Sequence, residues 1–286
     1  MGESHSIINL GELSKPATVL IEKISEAIGG LAKPWQIKRV AEAEAEVERI
    51  HAVAQIEITK LQKRAMTRLI AEEARKQHNI EAITAKAIPQ LDSDAKPENV
   101  EDDWIANFFD KCRLISDEDM QKLWARILAG EANSPGQFSK RTVALLSSMD
   151  KSDAARFTKV CDFACKIDTE IVPVILKYDH EIYVKHGLNY PLLSHLDTIG
   201  LVRFEIAPQH AFTVDQLPQH TVVRYFSQET KIAFPSPGIP LPPAHELIVG
   251  QVLFTDAGQQ LADICEAKPV PGFFELLKQT WQPFGP

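Results

Sequence analysis

Four residues in the second half of the chain have the types and the spacing of a zinc site. Three residues separate Cys161 from Cys165, and His180 and His186 follow further along the chain. Structural zinc sites take four cysteine or histidine ligands in a tetrahedron, so this spacing predicts a metal centre if the four side chains converge. The alternative places both cysteines on one face of an amphipathic helix, where a buried cysteine acts as a small apolar side chain.

Hydroxyl and basic side chains lie together at the predicted start of a helix, in the phrase Phe138-Ser139-Lys140-Arg141-Thr142. Backbone N–H groups at a helix N-terminus bind anions, so Ser139, Lys140 and Arg141 are candidate ligands for a phosphate or another anion. The alternative is a helix cap formed by Ser139, with the two basic side chains solvated.

Recognisable enzyme motifs are absent from the sequence. It contains no phosphate-binding glycine loop, no G-x-S-x-G nucleophile elbow and no H-E-x-x-H zinc motif. His195 lies in a predicted helix, but no obvious serine or cysteine nucleophile and no placed acid accompany it. We therefore predict a protein that is not an enzyme and that holds no cofactor other than the zinc considered above.

Composition and charge restrict the class of protein. The 286 residues carry a formal net charge of −8, which argues against broad binding to nucleic acid, because that binding comes from neutralising phosphates with Lys and Arg. The four cysteines are too few for a disulfide scaffold in a chain of this length. No run approaches the ~20 apolar residues of a membrane-spanning helix, and Met1 to Leu10 do not resemble a secretory signal. These features predict a cytoplasmic protein.

Residues 1–34 form the first predicted segment, which is an amphipathic N-terminal helix. Leu20, Ile24 and Leu31 recur at helical spacing. Such a helix docks either on protein or on a membrane surface. Helices that lie on membranes usually carry a face rich in Lys and Arg. The charged face of this segment is not rich in these residues, so docking on protein is favoured.

Residues 35–88 are predicted as one long helix, because they contain no Gly and no Pro and are rich in helix-forming residues. Apolar residues recur every seven positions over about two heptads, which favours a self-associating coiled coil and a homo-oligomer. The predicted self-association residues are Val40, Val47, Ile50, Ala54 and Leu61. Acidic residues crowd positions 42–48 and basic residues crowd positions 60–68, which suits antiparallel or staggered pairing of two copies. The alternative is a solvated helix face.

Residues 89–101 are hydrophilic and contain two prolines, which predicts a linker at a domain boundary. Residues 102–168 are then predicted as a compact helical domain. Its second helix is predicted to begin at an N-cap, Ser116, and to end at Gly130, and its fourth helix is predicted to extend to Phe163.

Residues 172–286 change character, with strand-like runs and many prolines. A short helix at Tyr190–Ile199 precedes strands at Leu201–Ile206, Thr221–Phe226 and Leu247–Phe254. This order of helix, strand, long hairpin and strand resembles a winged helix, a fold that binds DNA in some proteins and protein in others. Protein binding is favoured, because the predicted recognition helix carries no Lys or Arg to contact bases and phosphates.

The helical middle domain carries a family resemblance. Three phrases mark it: Trp104 to Phe109, Gln121 to Glu131, and Pro135 to Thr142. Together with the helix before them, they resemble a bacterial family known as domain of unknown function 2806, and more distantly the Abi-alpha type of abortive-infection proteins. The resemblance covers about half the chain, from Trp35 to Asp168. It implies a bacterial origin and a role in phage defence, and it supplies no catalytic residues.

Together, these features predict a mainly α protein with a long N-terminal helix, a helical middle domain and a winged-helix-like C-terminal α+β domain. The predicted function is that of a non-enzymatic bacterial interaction or effector protein, an antiphage component that self-assembles through its long helix. Two alternatives stay open. One is a DNA-binding winged-helix regulator, and the other is a membrane-acting effector that uses its N-terminal segment.

Overall fold

The computed structural model describes residues 13–29, 60–207, 210–213, 220–233 and 246–281. Within these residues the protein is mainly helical, with a small region of antiparallel sheet towards its C-terminus, which confirms the predicted fold class at that level. The chain divides into two compact units, Met1–Ser147 (unit 1) and Ser148–Pro286 (unit 2). None of the helices in the described ranges is long and apolar enough to cross a membrane.

All regular secondary structure in the described part of unit 1 is helical. The helices are α1 (Lys15–Ile28), α2 (Lys60–Ala87), α3 (Asp102–Cys112), α4 (Glu118–Asn133) and α5 (Lys140–Ser147). Short 3₁₀ turns at Ile88–Gln90 and Pro97–Asn99 lie between α2 and α3. Helix α2 falls within the predicted long helix, whose residues 35–59 lie outside the described residues.

The core of unit 1 forms where the apolar faces of its helices meet. Helix α1 packs on α3, α2 packs on α4, and α3 packs on α5. The apolar face of α1, which includes Leu20 and Ile24, is fully buried. Trp104, Phe108 and Trp124 form an aromatic cluster, with the Phe108 ring centroid 5.1 Å from each of the two tryptophan rings. The amphipathic pattern at the N-terminus is therefore used for packing inside unit 1.

The predicted linker at residues 89–101 connects two helices of the same unit. The side chain of Asn133 in α4 accepts the N–H of Asp92 at 3.0 Å and donates to the carbonyl of Gln90 at 3.1 Å. The N–H of Lys96 donates to the carbonyl of Ala132 at 2.9 Å. These bonds fasten the segment along α4.

Helix α4 begins and ends at different residues from those predicted. Its N-cap is Asp117, whose carboxylate accepts the backbone N–H groups of the first turn at 3.0 Å. The predicted cap, Ser116, instead accepts a hydrogen bond from Asn79 at 3.2 Å. The helix continues past Gly130 to Asn133, so the glycine lies inside the helix.

Unit 2 combines helices with strands. Its helices are α6 (Lys151–Cys161), α7 (Glu181–Lys185), α8 (Tyr190–Thr198), α9 (Asp256–Ala262) and α10 (Phe273–Trp281). Its strands are β1 (Ala164–Ile167), β2 (Glu170–Pro173), β3 (Val202–Phe204), β4 (His210–Thr213), β5 (His220–Tyr225), β6 (Gln228–Ala233), β7 (Glu246–Gly250) and β8 (Val252–Phe254). One antiparallel sheet has the order β2-β1-β5-β6, and β3–β8 and β4–β7 form two further antiparallel pairs. Helix α6 belongs to this unit, whereas the predicted helical domain extended to residue 168.

The segment after α6 corrects the predicted fourth helix. Helix α6 ends at Cys161, and Cys165 lies in strand β1, opposite Val172 of β2. Phe163, Cys165 and Ile167 are buried, whereas Lys166 is exposed, so burial alternates with the period of two that is typical of a strand. The prediction of one helix face carrying both cysteines was wrong because this short alternation was interpreted as a continuation of α6.

A crossing of two backbone segments divides the predicted strand at Leu247–Phe254. The N–H of Ile175 donates to the carbonyl of Val249 at 2.9 Å, and its carbonyl accepts the N–H of Gln251 at 2.8 Å. Gly250 has a φ of 104°, and a Cβ atom at this position would lie 2.0 Å from the carbonyl oxygen of Ile175. The close approach therefore requires glycine, and it separates β7 from β8.

Candidate functional site

The first half of α2 presents apolar side chains that the described residues leave uncovered. Leu61, Met66, Leu69 and Ile70 are 67%, 43%, 54% and 50% exposed, and we call these four residues the α2 stripe. At 3.6 residues per turn, all four fall within one half of the helix circumference. Single exposed apolar side chains are ordinary, but a contiguous apolar surface marks an interaction site.

Charged residues surround the α2 stripe. The basic residues of the same turns are Lys60, Lys63, Arg64 and Arg68. Arg68 pairs with Glu72 at 3.5 Å, and the hydrogen bond from Lys76 holds the pKa of Glu73 below its ordinary value. The turns from Lys60 to Arg68 therefore combine apolar side chains with an excess of positive charge.

The second half of α2 is fixed in unit 1 by a buried polar network. The amide of Asn79 donates to the carbonyl of Arg113 at 2.9 Å and to the hydroxyl of Ser116 at 3.2 Å. Gln121 of α4 donates to the side-chain oxygen of Asn79 at 3.4 Å and accepts from Lys86 at 2.9 Å. Because these bonds are directional, they set the position of α2 and of the stripe that it carries.

Only part of the predicted self-association surface lies in the described residues. Leu61 belongs to the α2 stripe, whereas Val40, Val47, Ile50 and Ala54 lie outside the described ranges. The other members of the stripe, Met66, Leu69 and Ile70, do not occupy the heptad seam positions counted from Leu61. A search for seven-residue periodicity therefore passed over them.

The four residues of the predicted zinc site do not form a metal-binding group. Cys161 ends α6 and Cys165 lies in β1, and both are buried. The Nδ1 atom of His180 accepts the N–H of Ile182 as a helix cap, and the His186 ring packs edge-on against Phe163. Among the described residues, no group of three or more His, Cys, Asp or Glu side chains is arranged to hold a metal ion.

Three cysteines of unit 2 instead line one cavity of about 340 Å³, which we call the thiol cavity. They are Cys161, Cys165 and Cys265. Lys166 and Arg224, which face each other across β1 and β5, also line it. Cys265 was not predicted as a site residue, because it lies far along the chain from the other two and completes no sequence motif.

His195 has an acidic partner that its sequence neighbours did not indicate. Its Nε2 atom lies 2.7 Å from Oδ1 of Asp153 in α6, and the other carboxylate oxygen accepts the N–H of Asp150 at 3.0 Å. Burial acts to raise the pKa of Asp153, but the hydrogen bonds from Asp150 and His195 lower it overall. Within the described structure His195 makes no hydrogen bond to a serine or cysteine, so this pair joins α6 to α8 without activating a nucleophile.

The residues of the predicted anion site lie at the start of α5. The Ser139 hydroxyl accepts the N–H of Thr142 at 3.1 Å and lies 3.0 Å from the Thr142 hydroxyl. Lys140 and Arg141 are exposed. Capping accounts for the position of Ser139, and the anion site stays a prediction.

Glu131 is a buried polar residue that the sequence did not single out. Its carboxylate oxygens accept the N–H groups of Gly136 at 2.7 Å and Phe138 at 2.8 Å. Burial raises the pKa of Glu131, although these hydrogen bonds act in the opposite direction. Trp104 donates to the carbonyl of Phe138 at 2.6 Å, and Gly130 leaves room for the Phe138 ring. Residues from all three phrases that carry the family resemblance therefore meet around the turn between α4 and α5. We call it the Trp104–Glu131–Phe138 turn.

Comparison with known proteins gives a family but no individual relative. No curated protein and no solved structure matches the chain. A family model described as "Protein of unknown function (DUF2806)" matches residues 63–278, which include the Trp104–Glu131–Phe138 turn and most of both units. The chain therefore belongs to this family of unknown function, DUF2806.

Proposed function

We propose that this protein is a non-enzymatic interaction protein that self-associates through the first half of α2. The α2 stripe carries this proposal, because its apolar side chains are exposed on a helix whose later turns are built into the core of unit 1. Covering such side chains stabilises an assembly by about 25 cal/mol for each Å² of apolar surface removed from water. The anchored second half presents the stripe in one orientation, which reduces the ordering cost of association.

A second copy of the chain is the partner that the charge pattern favours. The stripe lies among the basic residues of positions 60–68, and the acidic residues of positions 42–48 are Glu42, Glu44, Glu46 and Glu48. In an antiparallel or staggered pair, the acidic block of one copy faces the basic block of the other. The apolar residues Val40, Val47, Ile50 and Ala54 extend the apolar pattern towards the acidic block.

Light scattering of the full chain measures the mass of the assembly directly. We expect a mass of at least twice the 31.9 kDa of one chain. Leu69→Glu is expected to return the mass to that of one chain, because a buried unpaired charge opposes apolar association. Thr67→Glu is the matched control: it adds the same charge at an exposed site on the other side of the helix, outside the heptad seam, and should leave the assembly intact.

Two outcomes contradict self-association through this surface. One is a wild-type chain that stays at 31.9 kDa at high concentration. That result would mean that the partner of the stripe is residues 30–59 of the same chain or a different protein. The other is an equal loss of mass in Leu69→Glu and Thr67→Glu, which would mean that added charge acts without regard to the face of the helix.

For unit 2 we propose a winged-helix-like arrangement that contacts a protein. Helix α8 leads into β3, β3 pairs with β8, and Ile175 bridges to Gly250 beside this pair, which supports the proposal. The sequence of α8 from Tyr190 to Thr198 contains no Lys or Arg, so it brings little charge to a DNA backbone. We expect no salt-sensitive shift of a labelled DNA duplex, and such a shift would favour the DNA-binding alternative.

The membrane-acting alternative receives less support from α1. Its apolar side chains Leu20, Ile21 and Ile24 are buried in unit 1, and Lys23 pairs with Asp102 at 3.2 Å. We expect the full chain to stay in the supernatant when it is sedimented with anionic liposomes. Co-sedimentation that is lost on deletion of residues 13–29 would reverse this assignment.

We propose a role in phage defence from the sequence alone, because residues 35–168 carry the phrases that suggested a distant resemblance to Abi-alpha proteins. In a plaque assay, we expect phage to form fewer plaques on host cells that carry the wild-type gene than on matched cells that carry a Leu69→Glu copy. Equal plaque numbers from wild-type and empty-vector cells would count against this role while leaving self-association to be judged by mass.

A further inference from the structure

A relay of hydrogen bonds runs along one side of α6 to the thiol cavity. Cys161 ends α6 and lines the thiol cavity together with Cys265. The Cys265 thiol donates to Oγ1 of Thr158 at 3.3 Å, and the Thr158 hydroxyl donates to the carbonyl of Ala154 at 2.9 Å. Positions 154, 158 and 161 are three or four residues apart, so they share one helix face. The relay therefore holds the Cys265 sulfur against Thr158, three residues before Cys161, so both cysteines lie beside one cavity at the end of α6.

The two thiols differ in their access to solvent. Cys161 is 3% exposed, whereas Cys265 is only half-buried. Both line the thiol cavity, whose volume of about 340 Å³ admits a small molecule. Cys265 follows α9 in a stretch outside helices and strands, so its sulfur can shift without breaking a regular element. A shift is needed, because both cysteines are free thiols in this structure and a disulfide bond is only about 2.05 Å long.

We propose that Cys161 and Cys265 form an oxidisable thiol pair that reacts with hydrogen peroxide through the thiol cavity. The Cys265 thiol loses its proton, and the thiolate attacks one oxygen of hydrogen peroxide. The O–O bond breaks, Cys265 becomes a sulfenic acid, and the other oxygen leaves as hydroxide, which takes up a proton to form water. The Cys161 sulfur then attacks the Cys265 sulfur, the S–O bond breaks, and a second water carries away the thiol proton. One peroxide is reduced to two waters as two thiols become one disulfide.

The environments of the two sulfurs assign the order of these steps. Reaction with peroxide needs an accessible thiolate, which favours Cys265 as the first to react. Burial raises the pKa of Cys161 well above its ordinary value, so this residue reacts slowly with peroxide and is assigned the attack on the sulfur of Cys265, which lines the same cavity. The second step is therefore the slower one, and the sulfenic acid on Cys265 persists long enough to be trapped.

The other two cysteines provide internal controls. Cys165 lines the same cavity, but it is buried in β1 and burial raises its pKa. Cys112 is buried in unit 1, where its thiol lies 4.0 Å from the carbonyl of Phe109. Neither thiol is hydrogen-bonded to another cysteine in the described residues, so neither is expected to form a disulfide within the chain.

The test treats the full-length protein with hydrogen peroxide, blocks the remaining thiols under denaturing conditions and maps disulfides by mass spectrometry. We expect one disulfide that joins the Cys161 and Cys265 peptides, a loss of two titratable thiols, and recovery of both with dithiothreitol. In Cys161→Ser, dimedone should label Cys265 without disulfide formation. In Cys265→Ser, Cys161 should remain a thiol, and Cys112→Ser should behave as wild type.

Three results overturn the proposal. They are a disulfide that uses Cys165 in place of Cys161, a product that joins two chains, and a Cys265 that stays reduced when an unstructured cysteine peptide in the same tube is oxidised. All three are read from the wild-type chain, so none depends on the folding of a variant. Self-association is measured separately by mass, so either proposal can fail while the other stands.

Discussion

The two halves of α2 are parts of one helix with opposite surroundings. From Lys60 to Ala71 every residue is exposed, whereas from Asn79 to Ala87 most residues are buried or half-buried against the rest of unit 1. Both halves contain apolar residues at helical spacing, so sequence pattern does not distinguish them. Apolar spacing in the sequence therefore identifies which face of a helix needs a packing partner. Only the fold shows whether another part of the same chain covers that face.

Substitution of one buried isoleucine should give the largest effect on stability. Ile83 is fully buried in the second half of α2. We expect Ile83→Ala to lower the free energy of unfolding by about 2–5 kcal/mol, because it removes apolar contacts and leaves a cavity. Leu69→Ala in the first half should change it by no more than about 0.5 kcal/mol when the chain is dilute enough to be monomeric. Chemical denaturation measures the free energy of unfolding of both variants. Equal losses would contradict the proposed difference between the two halves of α2.

Loss of the hydrogen bonds of Asn79 in the second half of α2 should give the next largest effect on stability. Asn79→Ala removes the hydrogen bonds that the Asn79 side chain makes with the Arg113 carbonyl, Ser116 and Gln121. We expect a loss of about 1–3 kcal/mol in unfolding free energy, which is typical for a buried polar group deprived of its partner. Thr67→Ala, at an exposed site in the first half, is the control and should change little. A neutral Asn79→Ala would mean that packing alone positions the helix.

Two carboxylates extend the comparison to pH. The pKa of Glu131 is raised, chiefly by burial, whereas the Lys76 hydrogen bond lowers the pKa of exposed Glu73. Glu131 therefore contributes stability that is present below its unfolded pKa and is lost as pH rises through its folded pKa. Glu73 has the opposite sign: its contribution is present above its unfolded pKa and is lost as pH falls through its folded pKa.

NMR titration of the two side-chain carboxyls measures these shifts. We expect Glu131 to titrate above and Glu73 below the ordinary glutamate range. Glu131→Gln should flatten the fall in stability with rising pH, although the new amide also places a donor against a backbone N–H group. Coincident titration curves for the two residues would remove the electrostatic part of the comparison.

Added salt should have the smallest effect. Its effect on self-association distinguishes the contribution of charged residues from that of apolar contacts in the first half of α2. Raising the ionic strength from about 0.1 M to about 1 M shortens the Debye length from roughly 10 Å to roughly 3 Å. We expect a modest weakening of self-association, because each exposed ion pair contributes about 1 kcal/mol or less. Sedimentation at several salt concentrations checks this. Complete dissociation would show that charge, and not the α2 stripe, holds the assembly together.

Local features of the fold were predictable from the sequence, and long-range contacts were not. The helices that begin near Asp102 and Tyr190 follow from apolar spacing, and the strand near Thr221 follows from its β-branched residues. The assignment of Ser116 as a cap failed because Asp117 is an equally good capping residue next to it. Single spacing rules cannot choose between such neighbours.

The candidate sites show the same limit more sharply. The cysteine–histidine spacing predicted a centre that the fold does not assemble, since Cys165 lies in a strand and His180 caps α7. The thiol pair escaped prediction because Cys161 and Cys265 meet only after β1 to β8 and α9 are in place. Likewise, Asp153 reaches His195 only when α6 packs on α8.

Two glycines in unit 2 restrict how the chain can vary. Besides Gly250 at the backbone crossing, Gly258 lies in the first turn of α9, where a Cβ atom would lie 1.9 Å from the carbonyl oxygen of Leu201. Thr255 fixes this approach, because its hydroxyl accepts the N–H of Gly258 at 3.1 Å and donates to the carbonyl of Gly200 at 2.7 Å. We therefore expect relatives that keep this architecture to carry glycine at both positions, and the pair would then be a sequence fingerprint for distant members of the family.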